Sequence, residues 1–171
     1  MNRAVGIIPA RWSSTRFPGK PLAAIGGKPM IQHVYESAAK ARDLDRVLVA
    51  TDDRRIEQAV KSFGGEVMMT SKHHASGTDR LAEVARKIKS DWLVNVQGDL
   101  PFIHAETIAR AVRPMRRDRA IPMSTVCTPI YDAQFNAARG EFQYEPGLWL
   151  DEGTYVFETD TGYIRTDQGV L

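Results

Sequence analysis

The amino-acid sequence predicts an α/β fold in which helices cover a mostly parallel β-sheet. Short apolar runs bounded by turn-forming residues recur along the chain and are typical of buried strands. Between them lie segments whose apolar residues are three and four positions apart, the spacing that gives a helix one apolar face. Because predicted strands and helices alternate, the pattern indicates βαβ units, whose strands are parallel.

Five apolar runs are the predicted strands. They cover residues 5–10, 46–50, 66–69, 92–97 and 123–130. Right-handed crossovers between parallel strands bring the loops at their carboxyl ends to one edge of the sheet. Ligands of open α/β sheets bind at that edge. The loops after the first and fourth strands, which are rich in polar residues, are therefore the strongest candidates for a functional site.

Four helices are predicted between and after these strands. Their apolar faces are formed by Ile31, Val34, Tyr35, Ala38 and Ala39 in the first, Ile56, Ala59, Val60 and Phe63 in the second, Leu81, Val84, Ala85 and Ile88 in the third, and Ile108, Ala111, Val112 and Met115 in the fourth. Thr51 or Asp52 is predicted to cap the second helix. Ser76 and Asp79 have the spacing of a capping box at the start of the third.

The pattern changes after about residue 131. Residues 140–171 contain no clear helical face and are rich in Gly, Asp, Glu and Thr. Within them, the apolar runs 148–150 and 155–157 flank Asp151-Glu152-Gly153, which predicts a hairpin with a three-residue loop. We therefore expect an α/β domain over residues 1–132 and a β-rich tail of the same domain over residues 133–171.

Composition narrows the class of protein. The chain has 171 residues, of which 43% are hydrophobic and 26% charged, as in folded globular domains. Its formal net charge of +2 is too small to indicate binding to nucleic acid or to an anionic membrane. The single cysteine, Cys127, excludes an internal disulfide and fits a reducing compartment. Because no membrane-spanning run and no signal peptide pattern is found, the cytoplasm is the expected location.

The loop after the first strand carries three cations within ten residues, Arg11, Arg16 and Lys20. Cations and free backbone N–H groups together bind phosphates, and the small, turn-forming residues of this loop leave such N–H groups available. The loop is not a Walker A motif, since proline follows each Gly-Lys pair where Ser or Thr is required. We expect a triphosphate site; the alternative is a solvated basic loop.

The fourth strand leads into Asn95-Val96-Gln97-Gly98-Asp99. A carboxylate at the end of a buried parallel strand is costly unless it binds a partner. Mg²⁺ is a suitable partner, because it takes one or two carboxylates and completes its coordination with phosphate oxygens and water. We therefore expect Asp99 to bind Mg²⁺ beside the cations of the first loop. The alternative is that Asp99 caps the following helix, which requires no metal.

The stretch Ser76-Gly77-Thr78-Asp79-Arg80 begins the third helix. A helix N-terminus offers N–H groups without intrahelical partners. A hydroxyl and a guanidinium beside them can read the edge of a nucleobase. A capping box explains Ser76 and Asp79 equally well. Arg80 has no part in capping and is the stronger candidate for a base contact.

Three stretches of the chain together resemble one family. They are Ile-Pro-Ala-Arg-x-x-Ser-Thr-Arg-Phe-Pro-Gly-Lys-Pro-Leu at residues 8–22, Ser-Gly-Thr-Asp-Arg at 76–80 and Asn-Val-Gln-Gly-Asp at 95–99. All three are similar to motifs of the 3-deoxy-manno-octulosonate cytidylyltransferases, or CMP-Kdo synthetases, which activate an eight-carbon acid sugar with CTP. The resemblance implies a Rossmann-like, three-layer α/β/α fold of the nucleotide-diphospho-sugar transferase type, with nucleotide bound by residues 1–132.

The resemblance also implies a reaction and its residues. CMP is transferred from CTP to a sugar acid, 3-deoxy-manno-octulosonate or a close relative, with release of pyrophosphate, for the synthesis of lipopolysaccharide or another surface polysaccharide. The implied catalytic residues are Arg11, Arg16, Lys20 and Asp99, with Asp99 as the ligand of Mg²⁺. Nucleotide contacts are implied for Pro9, Ala10, Arg11, Ser14, Arg16, Lys20, Ser76, Arg80, Gln97 and Asp99, with Ser76 and Arg80 at the cytosine. The partners are CTP and the acceptor, and a homodimer is possible.

The sequence also departs from the family. Leu100 follows Asp99 where the family usually has Glu, and the family's later Gly-Val-Asp-Thr-Pro-type segment, with its second metal-binding aspartate, has no counterpart. The resemblance fades after Pro129, and the chain ends before a family member would. Two hypotheses follow. One is an Mg²⁺-dependent cytidylyltransferase; the sequence leaves open whether this chain is active alone. The other is a non-catalytic CTP- or CMP-binding module, or a truncated remnant that needs a partner chain.

Overall fold

The computed structural model describes residues 3–13, 17–126, 154–157, 164–166 and 169–170. The chain divides into two compact units, Met1–Arg113 and Pro114–Leu171. Within the described ranges, no helix has both the length and the apolar character needed to cross a bilayer.

The elements up to residue 117 alternate between strands and helices. In chain order they are β1 (Ala4–Ala10), a 3₁₀ helix (Lys20–Leu22), β2 (Ala24–Ile25), β3 (Lys28–Pro29), α1 (Met30–Ala38), β4 (Arg46–Thr51), α2 (Arg54–Ser62), β5 (Val67–Met69), α3 (Gly77–Ala85), β6 (Trp92–Asn95) and α4 (Ala105–Arg117). Strands β2 and β3 form a small antiparallel hairpin, and the other four strands form the main sheet.

The main sheet is parallel throughout, with strand order β5-β4-β1-β6. Strand β1 is central, because Val5 aligns with Arg46 of β4 on one side and with Leu93 of β6 on the other. The chain adds β4 and β5 on one side of β1 and then returns to add β6 on the other. This reversal is the topological switch point at which open α/β sheets bind ligands, outside the carboxyl ends of the strands.

Alternating side chains of the sheet pack into two separate cores. Ile8 of β1 and Val49 of β4 belong to one core, and their neighbours Ile7 and Leu48 belong to the other, as the two-residue period of a strand requires. The first core takes the buried faces of three helices, formed by Ile31, Val34, Ile56, Val60, Ile108 and Val112. The second core takes Leu81 and Val84 of α3. Helices thus cover both faces, and the predicted three-layer α/β/α fold is confirmed.

The start of α2 differs from the prediction. Asp53 is the capping residue, and its carboxylate accepts a hydrogen bond of 2.9 Å from the backbone N–H of Arg55. The expectation that Thr51 or Asp52 caps this helix is wrong. Strand β4 extends through Thr51, which is buried, and this moves the cap to the second aspartate. The released Asp52 side chain binds Arg80 instead.

Two predicted strands also differ from the structure. Strand β6 ends at Asn95, two residues before the predicted end, and the chain turns at residues 98–99, where Gly98 passes Pro9 of β1. The predicted fifth strand contributes β7 (Thr125–Val126) to an antiparallel sheet rather than to the parallel one. The other strands of that sheet are β8 (Thr154–Phe157), β9 (Ile164–Thr166) and β10 (Gly169–Val170), in the order β10-β9-β8-β7. Residues 127–130 and the first arm of the predicted hairpin, 148–150, lie outside the described residues.

Candidate functional site

The end of β1 is the point at which two of the predicted motifs meet. A Cβ placed on Gly98 would lie 2.7 Å from the carbonyl oxygen of Pro9, so only glycine lets the loop after β6 pass this close. A Cβ placed on Gly77, at the start of α3, would lie 3.5 Å from Pro9 Cγ, an ordinary contact. Pro9 is half-buried and Ala10 is buried. The structure therefore places Pro9 beside both the Ser76 motif and the Asp99 motif.

The third motif is joined to them by an ion pair. Lys20 Nζ lies 2.9 Å from Asp99 Oδ2, across 79 positions of sequence. The side chains are 39% and 54% exposed, so the pair lies in contact with water and contributes at most about 1 kcal/mol. Both charges are therefore accessible to a ligand. This contact brings together two of the predicted catalytic residues at the switch point of the sheet.

The other predicted phosphate and nucleotide ligands are arranged as follows. Arg11 is exposed directly after β1 and forms no ion pair with any residue that the structure describes. Gln97 is exposed, and its backbone carbonyl accepts a hydrogen bond of 3.3 Å from Leu100 N. Ser14 and Arg16 lie outside the described residues. Arg11 and Gln97 thus leave their side chains available to solvent or a ligand.

Asp99 is not the cap of a helix. The next helix, α4, begins at Ala105, six positions further on, so the capping alternative for Asp99 is wrong. Over the described part of the chain, no three or more His, Cys, Asp or Glu side chains are grouped closely enough to hold a metal ion. Asp99 supplies one exposed carboxylate, whose present partner is Lys20, and a single carboxylate suits a metal ion whose other ligands are not protein side chains. Mg²⁺ bound to phosphates and water is such an ion.

The predicted capping box at the start of α3 is confirmed. The Ser76 hydroxyl accepts a hydrogen bond of 3.1 Å from Asp79 N, and Asp79 Oδ2 accepts one of 3.0 Å from Ser76 N. The Ser76 hydroxyl also donates to Asp79 Oδ2 at 2.7 Å, and these hydrogen bonds hold the pKa of Asp79 below its ordinary value. Ser76 is exposed, so the cap leaves it in contact with solvent.

Arg80 points away from the surface, into the ends of β4 and β5. It is 3% exposed, and its guanidinium donates a hydrogen bond of 2.7 Å to Asp52 Oδ2. It also donates to the hydroxyl of Thr70 and, at 3.4 Å, to the backbone carbonyl of Ser71. A buried cation is stable only with such partners. Arg80 therefore ties the start of α3 to the loops that follow two strands.

Asp52 and Thr70 are residues of this network that sequence reasoning missed. A signal for Asp52 was available, because it follows a parallel strand as Asp99 does and so meets the same edge of the sheet. Thr70 follows β5 and is buried, with its hydroxyl donating 3.0 Å to the carbonyl of Thr51. Nothing in the sequence distinguished it from an ordinary turn residue.

Glu83 holds the loop that leads into the capping box. Its carboxylate binds Lys87 Nζ at 2.5 Å, the backbone N–H of Ser71 at 2.8 Å and His74 Nε2 at 2.6 Å. These partners, Lys87 first, lower the pKa of Glu83 to about 2. Because Ser71 and His74 lie between β5 and α3, one side chain of α3 fixes the path of the chain toward Ser76.

Comparisons with known proteins show which proteins this chain is similar to. A family model described as cytidylyltransferase matches residues 5–138. A 3-deoxy-manno-octulosonate cytidylyltransferase of Syntrophotalea carbinolica is 58% identical over 128 residues, which are 75% of this chain and 51% of that protein. The corresponding protein of Syntrophobacter fumaroxidans is 55% identical over 130 residues, 74% of this chain and 52% of its own. The chain thus spans about half the length of the curated relatives it matches.

Solved structures show the same similarity. A CMP:2-keto-3-deoxy-manno-octonic acid synthetase, solved in complex with CTP, aligns with a TM-score of 0.70 and 48% identity, over 74% of this chain and 54% of that one. A cytidylyltransferase from Leptospira borgpetersenii aligns with a TM-score of 0.66 over the same shares, and at 22% identity this likeness concerns the fold alone. The predicted resemblance to the octulosonate cytidylyltransferases is confirmed.

Proposed function

Because this chain belongs to the cytidylyltransferase family, we propose that it binds CTP at the end of β1 and transfers CMP to a sugar acid. The observation that carries this proposal is the Lys20–Asp99 contact, which joins two of the three motifs at the switch point of the sheet. The proposed acceptor is 3-deoxy-manno-octulosonate or a close relative, the compound in the names of the curated relatives. Cytoplasmic location, a role in lipopolysaccharide synthesis and a homodimer belong to the same proposal.

The proposed reaction is an in-line displacement at the α-phosphorus of CTP. A bond forms from the sugar's anomeric hydroxyl oxygen to the α-phosphorus, the bond from that phosphorus to the bridging oxygen breaks, and pyrophosphate leaves with the electron pair. The hydroxyl proton passes to solvent. Charge builds up on the phosphate oxygens, so catalysis depends on positioning and on cations. Arg11, Arg16 and Lys20 supply those cations in this proposal.

The metal in this proposal is Mg²⁺, held by Asp99. When bound, it would neutralise charge on the phosphate oxygens. The residues of the chain complete the site: Ser76 at the exposed start of α3 and Gln97 on the loop after β6 contact the nucleotide. The Arg80 guanidinium, with Asp52 and Thr70 as its partners, keeps the start of α3 in place. A direct contact of Arg80 with the cytosine remains a prediction.

Pyrophosphate release tests the proposal directly. The chain is incubated with CTP and Mg²⁺, with and without 3-deoxy-manno-octulosonate, and CTP binding is measured in parallel by calorimetry. We expect pyrophosphate only when both substrates are present, and much less of it from Lys20→Met than from the control Lys28→Met. Lys28 is a suitable control because it forms a similarly exposed ion pair, with Glu36 at 2.9 Å.

The outcomes separate two candidate functions. CTP binding without acceptor-dependent pyrophosphate supports the second candidate, a non-catalytic nucleotide-binding module. The chain spans about half the length of the curated relatives it matches, and this is the reason to test the two functions separately. Absence of CTP binding contradicts both candidates.

A further inference from the structure

Trp12 and Arg55 form a contact that the proposed reaction does not use. Arg55 Cζ lies 3.3 Å from the centroid of the Trp12 ring, so the guanidinium is stacked on the indole. Such cation–π contacts are attractive because the ring face is negative. Trp12 lies in the loop between β1 and the 3₁₀ helix, whereas Arg55 lies in the first turn of α2. The stack therefore connects the cation loop, residues 11–20, to a helix.

Asp53 fixes the plane of the Arg55 guanidinium. Its two carboxylate oxygens accept hydrogen bonds of 2.9 Å from Arg55 Nε and 2.7 Å from a terminal guanidinium nitrogen. This bidentate geometry holds a guanidinium in one orientation, which a lysine cannot reproduce. Because Asp53 is also the cap of α2, the stacked arginine is anchored to the residue that begins that helix. The position of Arg55 on Trp12 is thus set by two separate interactions of one aspartate.

On the loop side, Trp12 contacts the residue that precedes Lys20. Gly19 donates a backbone hydrogen bond of 3.0 Å to the carbonyl of Trp12, which closes the loop. Gly19 has φ of +73°, and a Cβ on it would lie 2.9 Å from Trp12 Cη2, so glycine is required by both backbone and ring. Gly19 is the residue before the 3₁₀ helix whose first member is Lys20. The position of the Trp12 ring therefore constrains the position of Gly19 and of Lys20, which follows it.

We propose that Arg55 is a positioning residue for the phosphate site: held by Asp53, it fixes Trp12, and Trp12 fixes the Gly19–Lys20 end of the cation loop. The inference rests on the proposed function only in naming CTP as the ligand that Lys20 binds. Arg55 itself touches no reacting atom. Its contribution is to keep Lys20 in one place before the triphosphate arrives, which lowers the ordering cost of binding.

The test compares Arg55→Met with Arg54→Met. Arg54 is adjacent, on the same turn and 85% exposed, but it pairs with Glu57 at 3.7 Å and makes no cation–π contact with Trp12, so it controls for loss of charge. The first readout is hydrogen exchange of the Gly19 amide, measured by NMR without CTP. The second is the dissociation constant for CTP, measured by calorimetry in both variants, in Arg55→Lys and in a Lys20→Met/Arg55→Met double variant.

We expect Arg55→Met to speed Gly19 exchange and to weaken CTP binding, each by about two- to fivefold, the range for an exposed cation–π contact. We expect Arg54→Met to change neither Gly19 exchange nor CTP affinity. Arg55→Lys should lose less CTP affinity than Arg55→Met, because lysine keeps the positive charge but cannot bind Asp53 through two hydrogen bonds. In the Lys20→Met background the effect of Arg55→Met on CTP affinity disappears, since the residue it positions is gone.

Two results overturn the inference. One is an Arg55→Met variant with unchanged Gly19 exchange and unchanged CTP affinity. The other is an equal loss of CTP affinity with and without Lys20, because Arg55 then acts by another route. A chain that binds no CTP at all contradicts the proposed function instead, and Gly19 exchange, which needs no nucleotide, still decides the role of Arg55.

Discussion

Replacing Lys20 with methionine is expected to change the affinities for CTP and for a divalent cation in opposite directions. Lys20 Nζ lies 2.9 Å from Asp99 Oδ2. A metal ion on Asp99 must compete with this ammonium for the same carboxylate, whereas a triphosphate gains an interaction with it. The substitution therefore removes a competitor of the metal and a ligand of the nucleotide at the same time.

The exposure of the pair sets the two magnitudes. With side chains 39% and 54% exposed, the ion pair is worth at most about 1 kcal/mol, so its loss strengthens metal binding by up to about fivefold. A charge-assisted hydrogen bond to phosphate is worth about 1.5–3 kcal/mol, so its loss weakens CTP binding by about 10- to 150-fold. The effect on CTP is the larger of the two, and the net effect on Mg²⁺-CTP is a loss.

The assay measures each ligand alone. Mn²⁺, used in place of Mg²⁺, is followed by electron paramagnetic resonance of the free ion, and CTP without metal is followed by calorimetry. Lys28→Met, which removes the same charge from the similarly exposed Lys28–Glu36 pair, is expected to change neither affinity. Unchanged CTP affinity in Lys20→Met, or weaker Mn²⁺ binding, would refute the reasoning.

Three further perturbations give distinct expectations. Asp99→Asn should reduce the Mg²⁺ dependence of CTP binding without lowering the melting temperature, because it removes a charge at constant shape; calorimetry showing the parent's Mg²⁺ dependence would exclude Asp99 as a metal ligand. Gly98→Ala should destabilise the fold by about 1–3 kcal/mol, because its Cβ would lie 2.7 Å from a backbone oxygen. Gly77→Ala, whose Cβ would lie 3.5 Å from Pro9, should instead gain up to about 1 kcal/mol of helix propensity, and equal urea midpoints for the two variants would contradict the packing at Pro9. Glu83→Gln should lower the melting temperature at neutral pH, and the difference from the parent should close as pH falls from about 4.3, the ordinary pKa, to about 2, the pKa of Glu83 in the fold. Glu57→Gln is its control, since Glu57 also pairs with a lysine four residues on, at 2.7 Å; a difference for Glu83→Gln that is as large at pH 2 as at neutral pH would contradict the role of the Glu83 network.

The sheet and the helices could be predicted because their signals are local. In α2, for example, the spacing of the apolar residues alone places Ile56 and Val60 on one face of the helix, and both are buried. The meeting of Lys20 and Asp99 could be anticipated as well. It follows from a general property of parallel sheets, in which loops at the carboxyl ends of neighbouring strands share one edge.

The partners of individual polar side chains could not be predicted in the same way. Of the two neighbouring aspartates, Asp53 caps α2 and Asp52 binds the buried Arg80, 28 positions away. The residue at which β4 ends decides which aspartate takes which role. The stack of Arg55 on Trp12 likewise joins the loop after β1 to the first turn of α2, and their distance is set by the pairing of β1 with β4. The antiparallel partner of β7 could not be predicted either, because β8 begins 28 residues after the end of β7.

The register of β1 has a consequence for the side of the strand that faces β6. Ile7 accepts a hydrogen bond of 3.0 Å from Val96, and alternate residues of a strand direct their backbone groups to the same neighbour, so Pro9 also faces the β6 side. Proline has no N–H, so β1 offers β6 no backbone donor beyond Ile7, and only the Pro9 carbonyl remains on that side. Gly98 therefore passes close to a strand position that has no backbone donor. Any other residue at position 9 would place a backbone N–H donor on the β6 side of β1.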